Sequence, residues 1–204
     1  TSETIGGPVS PISATAIVTN VDCNGTPTGG IDVTVNGGNG GYTYLWSNGA
    51  TTEDLTGVMA GNYSITISDV NSCSISYSYT ITEPGMALLT TYSVSDVDCF
   101  GDNTGSIDAV TIGGTPPYSF AWGSGQTTED ISGLTAGNYD LTVTDANGCI
   151  TVINPVISEP AAPLALSETH TDILCFGGNN GAIDITTTGG TAGYTIHGLI
   201  LRIL

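Results

Sequence analysis

One period governs this chain. Cys23, Cys99 and Cys175 are spaced by 76 residues, and so are Cys73 and Cys149, while the two cysteines inside a period stand 50 residues apart. The surrounding text keeps the same step: "VDCNGTPTGGID" from Val21 returns as "VDCFGDNTGSID" from Val97 and as "ILCFGGNNGAID" from Ile173. "WSNGATTEDLTGVMAGNY" from Trp46 returns without insertion as "WGSGQTTEDISGLTAGNY" from Trp122. Pro8, Pro84 and Pro160 mark the joints, each preceded three positions earlier by an isoleucine, Ile5, Ile81 and Ile157. The expected organisation is the end of a preceding repeat over 1–8, whole repeats over 9–84 and 85–160, and a truncated third repeat with a divergent tail over 161–204. Units of this length are large enough to own a core, so beads on a string is the expected picture rather than a solenoid.

Within each unit the pattern is that of strands. Ile31 to Val35, Tyr42 to Trp46, Tyr63 to Ser68 and Cys73 to Ile81 alternate apolar and polar residues at period two, which sends one face inward and the other to water. Gly37-Gly38, Asn48-Gly49, Gly61-Asn62 and Asp69 to Ser72 punctuate them with turn residues. No segment sustains helical spacing. The expected fold is all-β: tandem immunoglobulin-like antiparallel β-sandwich domains. Tyr42, Tyr44 and Trp46 share a face and are expected to fill the sandwich, with Trp122 taking the role in the second unit. Tyr63 and Tyr139 stand where a tyrosine corner would place a phenol against backbone groups.

Composition narrows the function. The chain carries 19 acidic residues and a single Arg or Lys, for a net charge of −18. It cannot neutralise a run of phosphates, which sets aside nucleic acid and anionic membrane surfaces as partners. No apolar run reaches the roughly 18 residues that cross a bilayer, and no basic and then apolar leader opens the sequence. A domain this short needs reinforcement. Bonds from Cys23 to Cys73 and from Cys99 to Cys149 would each close a loop of about 50 residues and contribute ~4 kcal/mol on the chain-entropy model. Structural zinc would need Cys-x-x-Cys spacing or a set of histidines, and the chain has no Cys-x-x-Cys pair and only two histidines, His170 and His197. Disulfides imply an oxidising, extracellular setting.

Groups for catalysis are sparse, and the chain is not expected to be an enzyme. Glu53-Asp54 and Glu129-Asp130 are strand neighbours that point to opposite faces, so they read as solvated strand edges. The glycine-rich "GGNGG" from Gly37 follows no phosphate-binding spacing and reads as a hairpin loop. No cofactor is expected, with calcium kept as the one candidate. Asp69 and Asn71, repeated as Asp145 and Asn147, form a D-x-N turn, with Asp22, Asp98, Glu83 and Glu159 at the unit ends to add oxygens. The same D-x-N sequence is equally an Asx-turn hairpin that needs no metal. Tyr77 and Tyr79 offer a ligand platform for surface glycans, the basis of an alternative reading as a carbohydrate-binding module. Their second-unit equivalents are Ile153 and Pro155.

The motifs C-x-G-x3-G-x-I, G-G-x3-Y-x-[YF]-x-W, L-x2-[VL]-x2-G-x-Y and D-x-N-x-C together resemble the SprB-type repeat. The likeness covers both full units and the start of the third. That family occurs in tandem in very large surface adhesins of gliding Bacteroidetes and in other secreted proteins of that group. The resemblance implies an immunoglobulin-like bead in an extracellular filament on the cell surface, exported by the type IX pathway and serving adhesion and gliding motility. It brings no catalytic residues. It carries over only the structural positions Cys23, Cys73, Trp46 and Tyr63, with Cys99, Cys149, Trp122 and Tyr139. The pattern departs at the C-terminus, where His197-Gly198 stands in place of the expected Trp. A half-unit with open strand edges would accept a strand from another chain, so self-association into a fibre by strand complementation is expected.

Overall fold

The computed structural model describes residues 10–198. The segment expected to end a preceding repeat, with Ile5 and Pro8, lies outside the described residues, as does most of the divergent tail. Among the described residues every helix or strand is a strand, and the fold is a series of small antiparallel sheets forming β-sandwich repeats.

The first repeat contains β1 (Ser13–Thr19), β2 (Gly29–Asn36), β3 (Thr43–Trp46), β4 (Leu55–Val58), β5 (Gly61–Ser68) and β6 (Ser74–Ile81). They form two sheets, in the orders β1-β2-β4 and β3-β5-β6, an arrangement compatible with an immunoglobulin-like sandwich. The alternation read in the sequence decides which side chains enter. Ile31 and Val33 of β2 and Leu55 of β4 meet Trp46 of β3, Ile65 and Ile67 of β5 and Ile81 of β6, and Val21 closes one end. Tyr42 and Tyr44 are half-buried against this cluster, and Trp46 is fully enclosed. Each of these aliphatic side chains contributes about 1.5–3 kcal/mol by leaving water.

The second repeat contains β7 (Leu89–Ser95), β8 (Gly105–Ile112), β9 (Ser119–Trp122), β10 (Ile131–Leu134), β11 (Gly137–Asn138), β12 (Leu141–Thr144), β13 (Ile150–Ile153) and β14 (Val156–Ile157). Its sheets run β10-β8-β7, β13-β12-β9 and β11-β14. Burial recurs with the period: Val97, Ile107, Ala109, Trp122, Ile131, Leu141, Val143 and Ile157 are buried at the positions of the eight residues of the first core. The counterparts of β5 and β6 are each broken in two. Tyr63 pairs with Tyr79 in the first repeat, and the position of Tyr79 is taken by Pro155 in the second. Tyr139 still donates its N–H to the Pro155 carbonyl at 2.9 Å, but proline has no N–H to return. The third repeat contributes β15 (Ala165–Thr171) and β16 (Ala182–Thr188), paired antiparallel.

The chain divides into two compact units. Among the described residues the first comprises 10–89 with 111–119 and 143–151; the second comprises 90–110, 120–142 and 152–198. Three segments of the second sequence repeat, 85–89, 111–119 and 143–151, therefore belong to the first unit, and the last of them carries Cys149.

Candidate functional site

Two turns recur in the repeat, at opposite ends of the strands. The first follows β1. Its Cys23 carbonyl accepts the Thr26 N–H at 3.0 Å, and the equivalent bonds are Asp102 N–H to Cys99 at 3.1 Å and Gly178 N–H to Cys175 at 2.9 Å. This base turn is fastened to the end of its own repeat. Val21 N–H donates to the Thr82 carbonyl at 2.9 Å, Asn24 Nδ2 to the Pro84 carbonyl at 2.7 Å and Gly25 N–H to Glu83 Oε2 at 2.6 Å. In the second repeat Gly101 N–H makes the same bond to Glu159 Oε2 at 2.6 Å.

The second turn is the hairpin tip between β5 and β6, organised by Asp69. Its Oδ1 accepts the N–H groups of Asn71 at 2.9 Å and Cys73 at 3.0 Å. Its Oδ2 accepts the N–H of Asn39 at 3.1 Å and the Asn39 side-chain amide at 3.2 Å. Asp145 repeats the pattern with Asn147 and Cys149, both at 2.9 Å, and with Thr115 at 2.8 Å. Burial alone would push both carboxyls up, but the converging N–H donors hold each below the ordinary value of 3.8.

This donor set does not fit calcium. A calcium ion requires six to eight oxygens aimed at one point, whereas both Asp69 oxygens face N–H donors, and Asn71 and Asn147 present their backbone N–H groups to the carboxylates. Of the acids expected to add oxygens, Glu83 and Glu159 each cap a base turn. Among the described residues no three His, Cys, Asp or Glu side chains gather as a metal site.

The cysteine pairing differs from the expected one. Cys23 is bonded to Cys149, 126 residues away, with Cα atoms 5.7 Å apart, and Cys73, Cys99 and Cys175 are free and exposed. Geometry explains why Cys23 does not bond Cys73. The base turn holding Cys23 is tied to Thr82–Pro84, beyond the end of β6, and Cys73 precedes the start of β6. Eight residues of strand put roughly 25 Å between them, and a disulfide needs Cα atoms within about 7 Å. The bond that forms is intimate with its surroundings: Asn147 Nδ2 donates to the Asp22 carbonyl at 2.9 Å and to Thr115 Oγ1 at 3.2 Å, all within the first compact unit. Repeats stapled each by its own bond are thus replaced by one bond from the base turn of the first repeat to the hairpin tip of the second.

The remaining expected sites are structural. Trp46 Nε1–H donates to the Thr52 carbonyl and Trp122 Nε1–H to the Thr128 carbonyl, each at 2.9 Å. Tyr63 donates its hydroxyl to the Met59 carbonyl at 3.0 Å and Tyr139 to the Thr135 carbonyl at 2.9 Å; both rings stand at the margin of the sandwich rather than in its centre. Tyr77 and Tyr79 are no open platform. They occupy the inward-facing positions of β6 with Ile75 and Ile81, half-buried against the core. The Tyr77 hydroxyl accepts the Ala14 N–H at 3.1 Å, and Tyr79 lies 6.5 Å from Trp46, ring centre to ring centre. Asp54 and Asp130 are exposed, as a solvated edge requires, and each also has a structural role: their Oδ1 atoms accept the N–H groups of Val33 at 2.8 Å and Ala109 at 2.9 Å. The signal for that role was the exact return of "TTED" in both copies.

Paired sheets, a base turn and a hairpin tip recurring at a fixed interval define a tandem-repeat β-sandwich protein. The SprB repeat model matches residues 15–51, 91–127 and 167–197, more than half of the chain in all. The chain belongs to the SprB repeat family, a structural rather than an enzymatic family. SprB repeats occur in secreted or cell-surface proteins. No curated protein sequence matches the chain.

Proposed function

We propose that this chain is part of the stalk of an extracellular adhesin, a structural segment that carries a binding tip away from the cell or builds the filament itself. The observation that carries the reading is the Cys23–Cys149 bond: a 126-residue covalent closure across two sequence repeats is a mechanical device, and it requires an oxidising exterior. Polar and acidic strand faces support it, since a net charge of −18 keeps neighbouring filaments from associating indiscriminately. Immunogold labelling of intact cells that carry the protein, with antibody raised against residues 10–160, is expected to decorate surface filaments. Label confined to the cell interior overturns the reading.

Self-association belongs to the same proposal. Copies of the chain join into a fibre by adding strands to the open edges of their small antiparallel sheets. With free thiols alkylated, light scattering at rising concentration is expected to show growing assemblies; a monomer throughout refutes the idea.

A further inference from the structure

The bond between Cys23 and Cys149 leaves three cysteines unused, and the period says what two of them are for. Its span of 126 residues is one period of 76 plus the 50 that separate the two cysteines of a repeat. In every copy the first cysteine sits in a base turn whose carbonyl takes the N–H three residues on. The second sits in a hairpin tip, where bonded and unbonded copies have one geometry. Asp69 N–H donates to the Cys73 carbonyl at 3.0 Å and Asp145 N–H to the Cys149 carbonyl at 3.0 Å. The return bonds, to Asp69 and Asp145, are 3.0 and 2.9 Å. The groups that frame the bonded pair, Asp22 and Asn147, have their period equivalents in Asp98 and Asn71. Strand length keeps the two cysteines of one repeat apart, so neither Cys73 nor Cys99 finds its partner at home.

We infer that Cys73 and Cys99 are unfilled halves of the same staple, each a covalent docking point for the complementary turn of another SprB repeat. Cys99, a base-turn thiol, takes the hairpin-tip cysteine of a following repeat, and Cys73, a hairpin-tip thiol, takes the base-turn cysteine of a preceding one. Cys175 is of the Cys99 kind. The rule is first cysteine to second cysteine of the next repeat, and never first to first or second to second. The partner repeat comes either from the same polypeptide or from a second copy of this chain. Bond formation consumes a low-molecular-weight disulfide such as oxidised glutathione. One protein thiol displaces glutathione from it to give a mixed disulfide; the second protein thiolate attacks that sulfur and expels the other glutathione. Two protein thiols are oxidised, one glutathione disulfide is reduced to two thiols, and two protons pass to the two departing thiolates.

Two arms test this, and both stand whether or not the protein is displayed on a surface. In the first, the 204-residue chain is equilibrated in a glutathione redox buffer and analysed by non-reducing electrophoresis and by mass spectrometry of linked peptides. A second copy as partner gives a ladder of covalent multimers linked through Cys73 to Cys99 or Cys175, with Cys23–Cys149 intact, and Cys73→Ser abolishes the ladder. In the second, residues 85–160 are duplicated in register after Pro160; a partner in the same chain gives a new internal bond from Cys99 to the hairpin cysteine of the added repeat. Either product supports the inference. Links of Cys99 to Cys99, a bond of Cys99 to Cys149, or free Cys73 and Cys99 thiols in both arms overturn it.

Discussion

At the scale of single residues, this fold relies on carboxylates that accept several backbone N–H groups at once. Asp69 and Asp145 have folded-state pKa values lowered by those donors, so their contribution to stability is complete above the ordinary carboxylate value of 3.8 and is lost as pH falls through the lower folded value. Thermal melts should therefore show the midpoint falling below about pH 4, the unfolded carboxylate value. Asp145→Asn should lower the midpoint at neutral pH and flatten that acid limb; an unchanged limb in the variant would count against the assignment. Gly37, Gly113 and Gly189 make a second residue-scale case. Their φ values are +76°, +73° and +70°, and a Cβ at each would run into the carbonyl of Pro11, Ala87 or Pro163. Gly37→Ala should destabilise the first repeat by more than the ~1 kcal/mol that conformational strain alone costs, measured by urea titration. None of this was readable beforehand in full: the D-x-N turn pointed equally to calcium and to an Asx turn, because sequence does not say which atoms face the carboxylate.

At the scale of elements, period-two alternation was enough to place the strands and most of the core, because inward positions are fixed by parity once a strand is recognised. The same parity put Tyr77 and Tyr79 on the inner side with Ile75 and Ile81, and reading them as an outward platform ignored it. Strand continuity turned on one residue. With no N–H at Pro155, the pairing that runs unbroken from Gly61 to Ser68 in β5 is divided between β11 and β12 in the second repeat. Hydrogen exchange should accordingly show faster amide exchange in β13 and β14 than in β6. Tyr79→Pro, which removes a ring from beside Trp46 as well as a donor, should cost the first repeat about 3 kcal/mol or more; equal protection in both repeats would contradict the account.

At the scale of the whole molecule, the period and the tandem organisation were open to inspection, but the cysteine connectivity was not. Spacings of 50 and 126 are equally regular in the sequence, and only the length of β6 separates them. Closing 126 residues should stabilise the folded state by about 5 kcal/mol on the chain-entropy model. It should also set the reach of the stretched chain. At about 3.5 Å per residue, single-molecule pulling from end to end should gain roughly 45 nm of extension when reductant is added, and no gain would mean that the bond is absent in solution. The closure has a further effect on damage. A protease that cuts once at any position between Cys23 and Cys149 severs the main chain there, yet both fragments stay tethered through sulfur, so a chain closed this way survives a nick that would part an ordinary polypeptide.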